Sequence, residues 1–208
     1  MEIVLANAGK KYYREWIFRN VNLSLKSPEH YVILGPNGSG KSTLLQLISG
    51  AITPTEGSIS YSASDSVVSN DGIYKSLSIA APYLELIEEF TLDELIRFHF
   101  SFKKQNESLR KTVLSETGLE SKKDSVYRYF SSGMKQRVKL ALAVCSDSEM
   151  LFLDEPCSNL DKDGMRWYNE LIQNHTRNKL IVVASNTVED EYAFCTHSLN
   201  MSDLKHHE

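Results

Sequence analysis

Residues 35–42 read Gly-Pro-Asn-Gly-Ser-Gly-Lys-Ser, a complete match to the pattern Gly-x-x-x-x-Gly-Lys-Ser/Thr. This stretch constrains the fold more than any other. Its glycines let the backbone curl until N–H groups point inward at phosphate oxygens, provided a strand leads in and a helix leads out. The flanking sequence predicts both. Tyr31–Leu34 is a short apolar run ahead of the loop, and Lys41–Ser49 has helical character and ends at Gly50, a suitable C-terminal cap. In that setting Lys41 reaches the β- and γ-phosphates of a nucleotide and the Ser42 hydroxyl is a ligand for Mg²⁺.

The rest of the chain supplies the architecture such a loop needs. Besides 31–34, the runs Leu77–Ala80, Met150–Leu153 and Leu180–Ala184 are continuously apolar, as parallel strands buried on both faces read. Helix-like stretches lie between them, at Leu92–Phe102 and Met134–Val144 among others. The expected class is therefore α/β with a mainly parallel core. Ile3–Ala6, Ile17–Val21, Leu23–Leu25 and Gly57–Tyr61 are β-rich pieces predicted to form a small antiparallel sheet, with Gly9 breaking the first. Ser62–Asp71 reads as a loop or weak strand. The expectation is one domain over residues 1–208, with a core at 1–81 and 145–208 and a helical insert at about 82–144. At 208 residues and 41% hydrophobic content, a core of that size is available.

Composition narrows the function classes. Lys plus Arg is 23 and Asp plus Glu is 27, a net charge of −4. This disfavours non-specific nucleic-acid wrapping, and no nucleic-acid partner is expected. No apolar run approaches the roughly 18 residues of a membrane span. The N-terminus does not read as a signal peptide, so a cytoplasmic location is expected. Cysteines at 145, 157 and 195 are odd in number and widely spaced, which suggests neither disulfides nor a zinc site.

Three further motifs carry chemistry. Met150–Glu155 is an apolar strand ending in two carboxylates. Asp154 falls beside the phosphate loop and can hold Mg²⁺ through water. Glu155 alternates to the other side, where it can polarise an attacking water. Phe130-Ser131-Ser132-Gly133-Met134-Lys135-Gln136-Arg137 opens a helix with small residues, either an ordinary Ser N-cap or a second anion site. Ser158-Asn159-Leu160-Asp161 follows the carboxylate pair.

In this order the motifs resemble the ATP-binding-cassette (ABC) ATPases, and the resemblance spans nearly the whole chain. It implies ATP and Mg²⁺ as cofactors and a head-to-tail homodimer. ATP held by Asn37, Gly38, Ser39, Gly40, Lys41, Ser42 and Thr43 of one copy would be closed over by Ser131 and Gly133 of the other, with Asp161 reaching across. An aromatic near the N-terminus of such proteins stacks on adenine; Tyr12 and its neighbour Tyr13 both qualify. The resemblance also implies a separate transmembrane permease, placing the chain peripherally on the inner face of the cytoplasmic membrane. Ending soon after Asn186, the chain looks more like short export subunits than importers with a C-terminal extension.

Two positions depart from the family pattern. Its Gln at the entry to the helical insert is replaced by Ala81; the four Gln are at 46, 105, 136 and 173. Its His after the strand following Asp-Glu is replaced by Asn186; the six His are at 30, 99, 175, 197, 206 and 207. An Asn amide can donate a hydrogen bond to phosphate but cannot carry a proton. The expected catalytic set is therefore Lys41, Glu155 and Asn186, with slow turnover. Glu85, Glu88, Glu89, Asp93 and Glu94, interleaved with apolar residues, read either as a partner-docking segment or as a solvated amphipathic helix. Cys157 reads as a small packing residue.

Overall fold

The computed structural model describes residues 1–63, 66–102 and 107–204. It divides into two compact units. The first comprises Met1–Leu77, Ser148–Glu155 and the chain from Asn178 onward; the second comprises Ser78–Asp147 and Pro156–Arg177.

The first unit begins with a long hairpin, β1 (Glu2–Tyr12) and β2 (Glu15–Lys26), paired antiparallel. These strands are continuous where the sequence suggested short pieces. Gly9 does not break β1: a Cβ there would meet the Trp16 ring at 3.0 Å, so glycine admits a close approach across the hairpin. Register shifts at Leu5–Ala8 and Ala8–Lys11 absorb the irregularity. β4 (Glu56–Ala63) pairs with β1, and β5 (Ser66–Val68) adds an edge. The strand alternative for Ser62–Asp71 thus holds at Ser66–Val68, whereas Ser64 and Asp65 lie outside the described residues.

Beside this sheet, four parallel strands run in the order β7 (Met150–Asp154), β8 (Leu180–Ser185), β3 (His30–Leu34), β9 (His197–Asn200). Every residue of β7 and β8 is buried, as their unbroken apolar sequence requires. α1 (Lys41–Ile48) follows β3 and buries Leu44, Leu45, Leu47 and Ile48. The short α6 (Met201–Leu204) continues from β9. β6 (Leu77–Ala80) carries the chain towards the second unit.

The second unit is helical: α2 (Leu92–Ser101), α3 (Glu107–Thr117), α4 (Ser132–Val144) and α5 (Lys162–His175). α3 is fixed to α5 by the Trp167 indole donating to the Glu116 carbonyl at 2.7 Å and by His175 Nε2 lying 2.9 Å from the Glu116 carboxylate. The Arg137 guanidinium of α4 lies over the Trp167 ring, 5.0 Å from its centroid.

The acidic segment before α2 is not a helix. Thr91 caps α2 with a full capping box, its side chain accepting from Glu94 N while Glu94 Oε2 accepts from Thr91 N at 2.8 Å. That box starts the helix at Leu92, and Glu85, Glu88 and Glu89 lie in irregular chain ahead of it. Glu88 pairs with Lys135 at 2.6 Å and Glu89 with Arg128 at 2.7 Å.

Candidate nucleotide site

Three neighbouring parallel strands end at the same side of the first unit, and each delivers part of a site. β3 runs into the glycine loop. Gly40 there takes φ 103°, which side-chain-bearing residues rarely adopt, and a Cβ would lie 2.3 Å from Ile17 Cγ2 of β2. The hairpin thus presses the loop against the start of α1. Lys41 is buried, with Nζ donating to the Gly35 carbonyl at 2.8 Å and the Pro36 carbonyl at 3.1 Å. Its ammonium is held at the loop by the loop's own backbone dipoles.

β7 delivers the carboxylates. Asp154 is 3% exposed; its carboxylate lies beside the Ser42 side chain, which favours its charged form, and Oδ1 is buried without a hydrogen-bond partner. Burial pushes its pKa above the ordinary aspartate value and Glu155 adds to this; the Ser42 side chain and the Lys41 charge act in the opposite direction. An unspent carboxylate oxygen beside a hydroxyl is a hard-oxygen donor set that suits Mg²⁺. Among the described residues no group of three or more His, Cys, Asp or Glu forms a self-sufficient metal site, so a cation here would need phosphate or water to complete its shell. Glu155 is half-buried and has φ 45°, in the left-handed region, with its N–H donating to the Ala184 carbonyl of β8 at 2.9 Å. Its carboxylate is near enough to Asp154 for the two charges to repel.

β8 delivers Asn186. Its Nδ2 donates to Asn37 Oδ1 in the glycine loop at 3.2 Å. Asn37, the loop through Thr43, Asp154, Glu155 and Asn186 thus gather at one sheet end. The Ser39 hydroxyl is also buried there without a hydrogen-bond partner.

Tyr12 and Tyr13 differ. Tyr13 occupies the tip of the hairpin at φ 53° and is fully exposed. Tyr12 is 42% exposed, with Lys10 Nζ lying 5.2 Å from its ring centroid. Trp16, a third aromatic of this hairpin, is flanked by Lys11 and Arg19 cations and packs over Gly9.

The other expected residues belong to the second unit. Ser131 is the N-cap of α4, accepting from Met134 N at 3.2 Å. Asp161 is the N-cap of α5, accepting from Gly164 N at 2.7 Å. With Gly133 they line a common cavity of about 230 Å³. Two contacts clamp the 156–161 segment onto α4: Gln136 Nε2 donates to the Pro156 carbonyl at 2.7 Å, and the Asn159 carbonyl sits 3.2 Å from where a Cβ of residue 133 would be. Ala81 is buried and offers neither donor nor acceptor in its side chain. Cys157 is buried too, as a packing residue would be.

Ile17 and Met201, which both approach Gly40, were not legible as site residues. They are ordinary apolar positions in sequence, and only the fold brings them to the loop.

A family model described as ABC transporter matches residues 18–158. The chain belongs to the ABC transporter family. This ABC cassette is 29% identical over 204 residues to the uncharacterized ABC transporter ATP-binding protein YybJ of Bacillus subtilis (strain 168), covering 96% of this chain and 92% of that one. It is 31% identical over 179 residues to the cytochrome c biogenesis ATP-binding export protein CcmA of Vibrio vulnificus (strain YJ016), covering 85% and 87%. The bacterial ABC transporter cassette MJ0796, solved as a dimer, matches with a TM-score of 0.80 at 26% identity, over 96% of this chain and 94% of that one. The cassette is thus an ATP-binding ATPase subunit of α/β fold. No helix among the described residues is long and apolar enough to cross a membrane.

Proposed function

We propose that this cassette binds and hydrolyses ATP as a homodimer and drives a separate transmembrane permease, in the export direction, from the inner face of the membrane. The observation that carries the reading is the convergence of three strand ends on one phosphate loop: Asp154 buried beside Ser42 and Lys41, Glu155 next to it, and Asn186 bonded to Asn37. The export direction is supported by the relation to CcmA, an export protein.

In this reading residues 37–43 cradle the phosphates and Lys41 exchanges its bonds to the Gly35 and Pro36 carbonyls for phosphate oxygens. Ser42 and Asp154 hold Mg²⁺, which when bound supplies charge neutralisation at the β- and γ-phosphates. Glu155 takes the proton of the attacking water. Asn186 turns its amide from Asn37 to the γ-phosphate. Ser131 and Gly133 of the second copy close over the nucleotide, and Asp161 reaches across. Ser131 Oγ already accepts an N-cap bond and keeps its own O–H to donate to a phosphate oxygen, while Asp161 Oδ1 accepts an N-cap bond and its carboxylate keeps further acceptor capacity.

The test is sedimentation of the purified chain with and without MgATP. A shift from monomer to dimer with ATP supports the reading. A monomer at saturating ATP, together with no phosphate release, overturns it. A second reading is favoured by Ala81 and Asn186: ATP closes the dimer and hydrolysis is marginal, so the cassette acts as a switch. A single-turnover half-life of bound ATP far beyond a transport cycle would support the switch.

The platform for adenine is assigned to Tyr12. Its ring is exposed at the end of β1 with the Lys10 ammonium 5.2 Å from its centroid, whereas Tyr13 projects fully from the turn. Tyr12→Ala is expected to weaken ATP binding about five- to tenfold, in line with about 1 kcal/mol or more for base–aromatic stacking; Tyr13→Ala should stay within twofold. Fluorescent-nucleotide titration reads both, and a reversed order would assign the platform to Tyr13.

A further inference from the structure

Glu189-Asp190-Glu191 reads in sequence as a solvated acidic run. Glu189 and Asp190 are exposed as such a run should be, but Glu191 is 2% exposed. Its Oε2 accepts a hydrogen bond of 2.5 Å from the hydroxyl of Ser185, which is fully buried at the end of β8. A carboxyl in such a place is costly to bury unless it is bonded.

The location of this bond gives it a consequence. Ser185 and Glu191 bracket the loop that starts with Asn186, so their bond closes that loop on itself. Within it Thr187 has φ 95°, a backbone state that a β-branched residue holds only under constraint. The turn is completed by Glu191 N donating to the Val188 carbonyl at 3.0 Å. At the other end Asn186 Nδ2 reaches Asn37 of the phosphate loop. The buried carboxylate therefore sets the strained turn from which the Asn186 amide projects.

We propose that Glu191 is a positioning residue for ATP hydrolysis. Acting through Ser185, it fixes the 186–190 loop and with it the direction of the Asn186 amide. Glu191 touches no substrate. This inference rests on the reading that Asn186 serves the γ-phosphate.

The test compares Glu191→Met with Glu191→Gln in the full chain. The two substitutes have similar volume and differ in the acceptor, because the Gln side-chain carbonyl still accepts the Ser185 hydroxyl. Steady-state ATPase assays with Mg²⁺ should show kcat of E191M lowered about ten- to a hundredfold, as for a misplaced catalytic group, with KM for ATP within twofold. E191Q should recover most of the loss. E191M combined with N186A should be no slower than N186A alone. A folded E191M with wild-type kcat beside an impaired N186A overturns this inference and leaves the Asn186 reading standing. Equal losses in E191M and E191Q overturn it too, since the acceptor would then be irrelevant. An N186A enzyme with wild-type kcat removes the Asn186 reading and this inference together. Circular dichroism and thermal melts confirm that each variant is folded.

Discussion

Replacing Glu155 by Gln is expected to lower kcat for ATP hydrolysis by about 10²- to 10⁴-fold, the range for loss of a placed general base. Gln keeps the size and the half-buried position but cannot take a proton. The Glu155 backbone is held by its N–H bond to the Ala184 carbonyl, so the substitution should leave the site's geometry in place. ATP affinity should change less than threefold, and MgATP should hold E155Q in the dimer longer than wild type. Phosphate release and sedimentation measure the two effects. Because Ala81 and Asn186 already slow the wild type in this reading, the wild-type rate must first be shown to exceed buffer. An E155Q rate equal to a measurable wild-type rate would remove Glu155 from the chemistry.

Asp154→Asn should have two effects of opposite sign. Burial raises the Asp154 pKa, which means the folded protein favours the protonated form. The stability this group contributes is therefore full at low pH and is lost as pH rises through its raised value; at neutral pH the ionised, part-satisfied carboxylate is a cost. Asn removes that cost. Without Mg²⁺ or nucleotide, D154N should melt higher than wild type at pH 7, by about 2–4 °C for each kcal/mol relieved, and the difference should close as the pH is lowered below the ordinary aspartate range. With MgATP the order should reverse: wild type gains thermal stability from the ligand, while D154N gains less and loses at least about 10² in Mg²⁺-dependent turnover. Calorimetry at about pH 3 and pH 7, with and without MgATP, checks both arms. A lower melting temperature for D154N at pH 7 without ligand would show that Asp154 is a net structural support.

The sequence was most legible where chemistry dictates local pattern. The phosphate loop, the strand before it, and β7 and β8 announced themselves because a phosphate cradle and a buried parallel strand each tolerate few residue types. Even the β6 bounds, Leu77–Ala80, agree with the apolar run. Legibility failed where a residue's reason lies in a distant partner. Gly9 looked like a break and is a contact for Trp16. β9 has no apolar alternation to give it away; it forms because β3 offers a parallel edge to His197–Asn200. The acidic residues of 85–94 looked like one surface, yet Glu94 caps α2, Asp93 pairs with Arg97, and Glu88 and Glu89 pair across to Lys135 and Arg128. Such exposed pairs are each worth about 0.2–1 kcal/mol at most, too little to leave a mark on sequence pattern. In the candidate site, Asn186 was legible because it stands where a family residue is missing. Ile17 and Met201 were not, since nothing in their own neighbourhood in the chain points to Gly40.

The ends of β3, β7 and β8 carry the polar side chains of the proposed site, while the strands themselves are mostly buried apolar residues. Scaffold and chemistry are thus written in separate residues. In the proposed reading, a single exchange at a strand tip, such as Asn186, resets the speed of the cycle without repacking the interior. On that reading a cassette of this shape could serve as an engine or as a timer, with the tempo set by side chains that the core does not need.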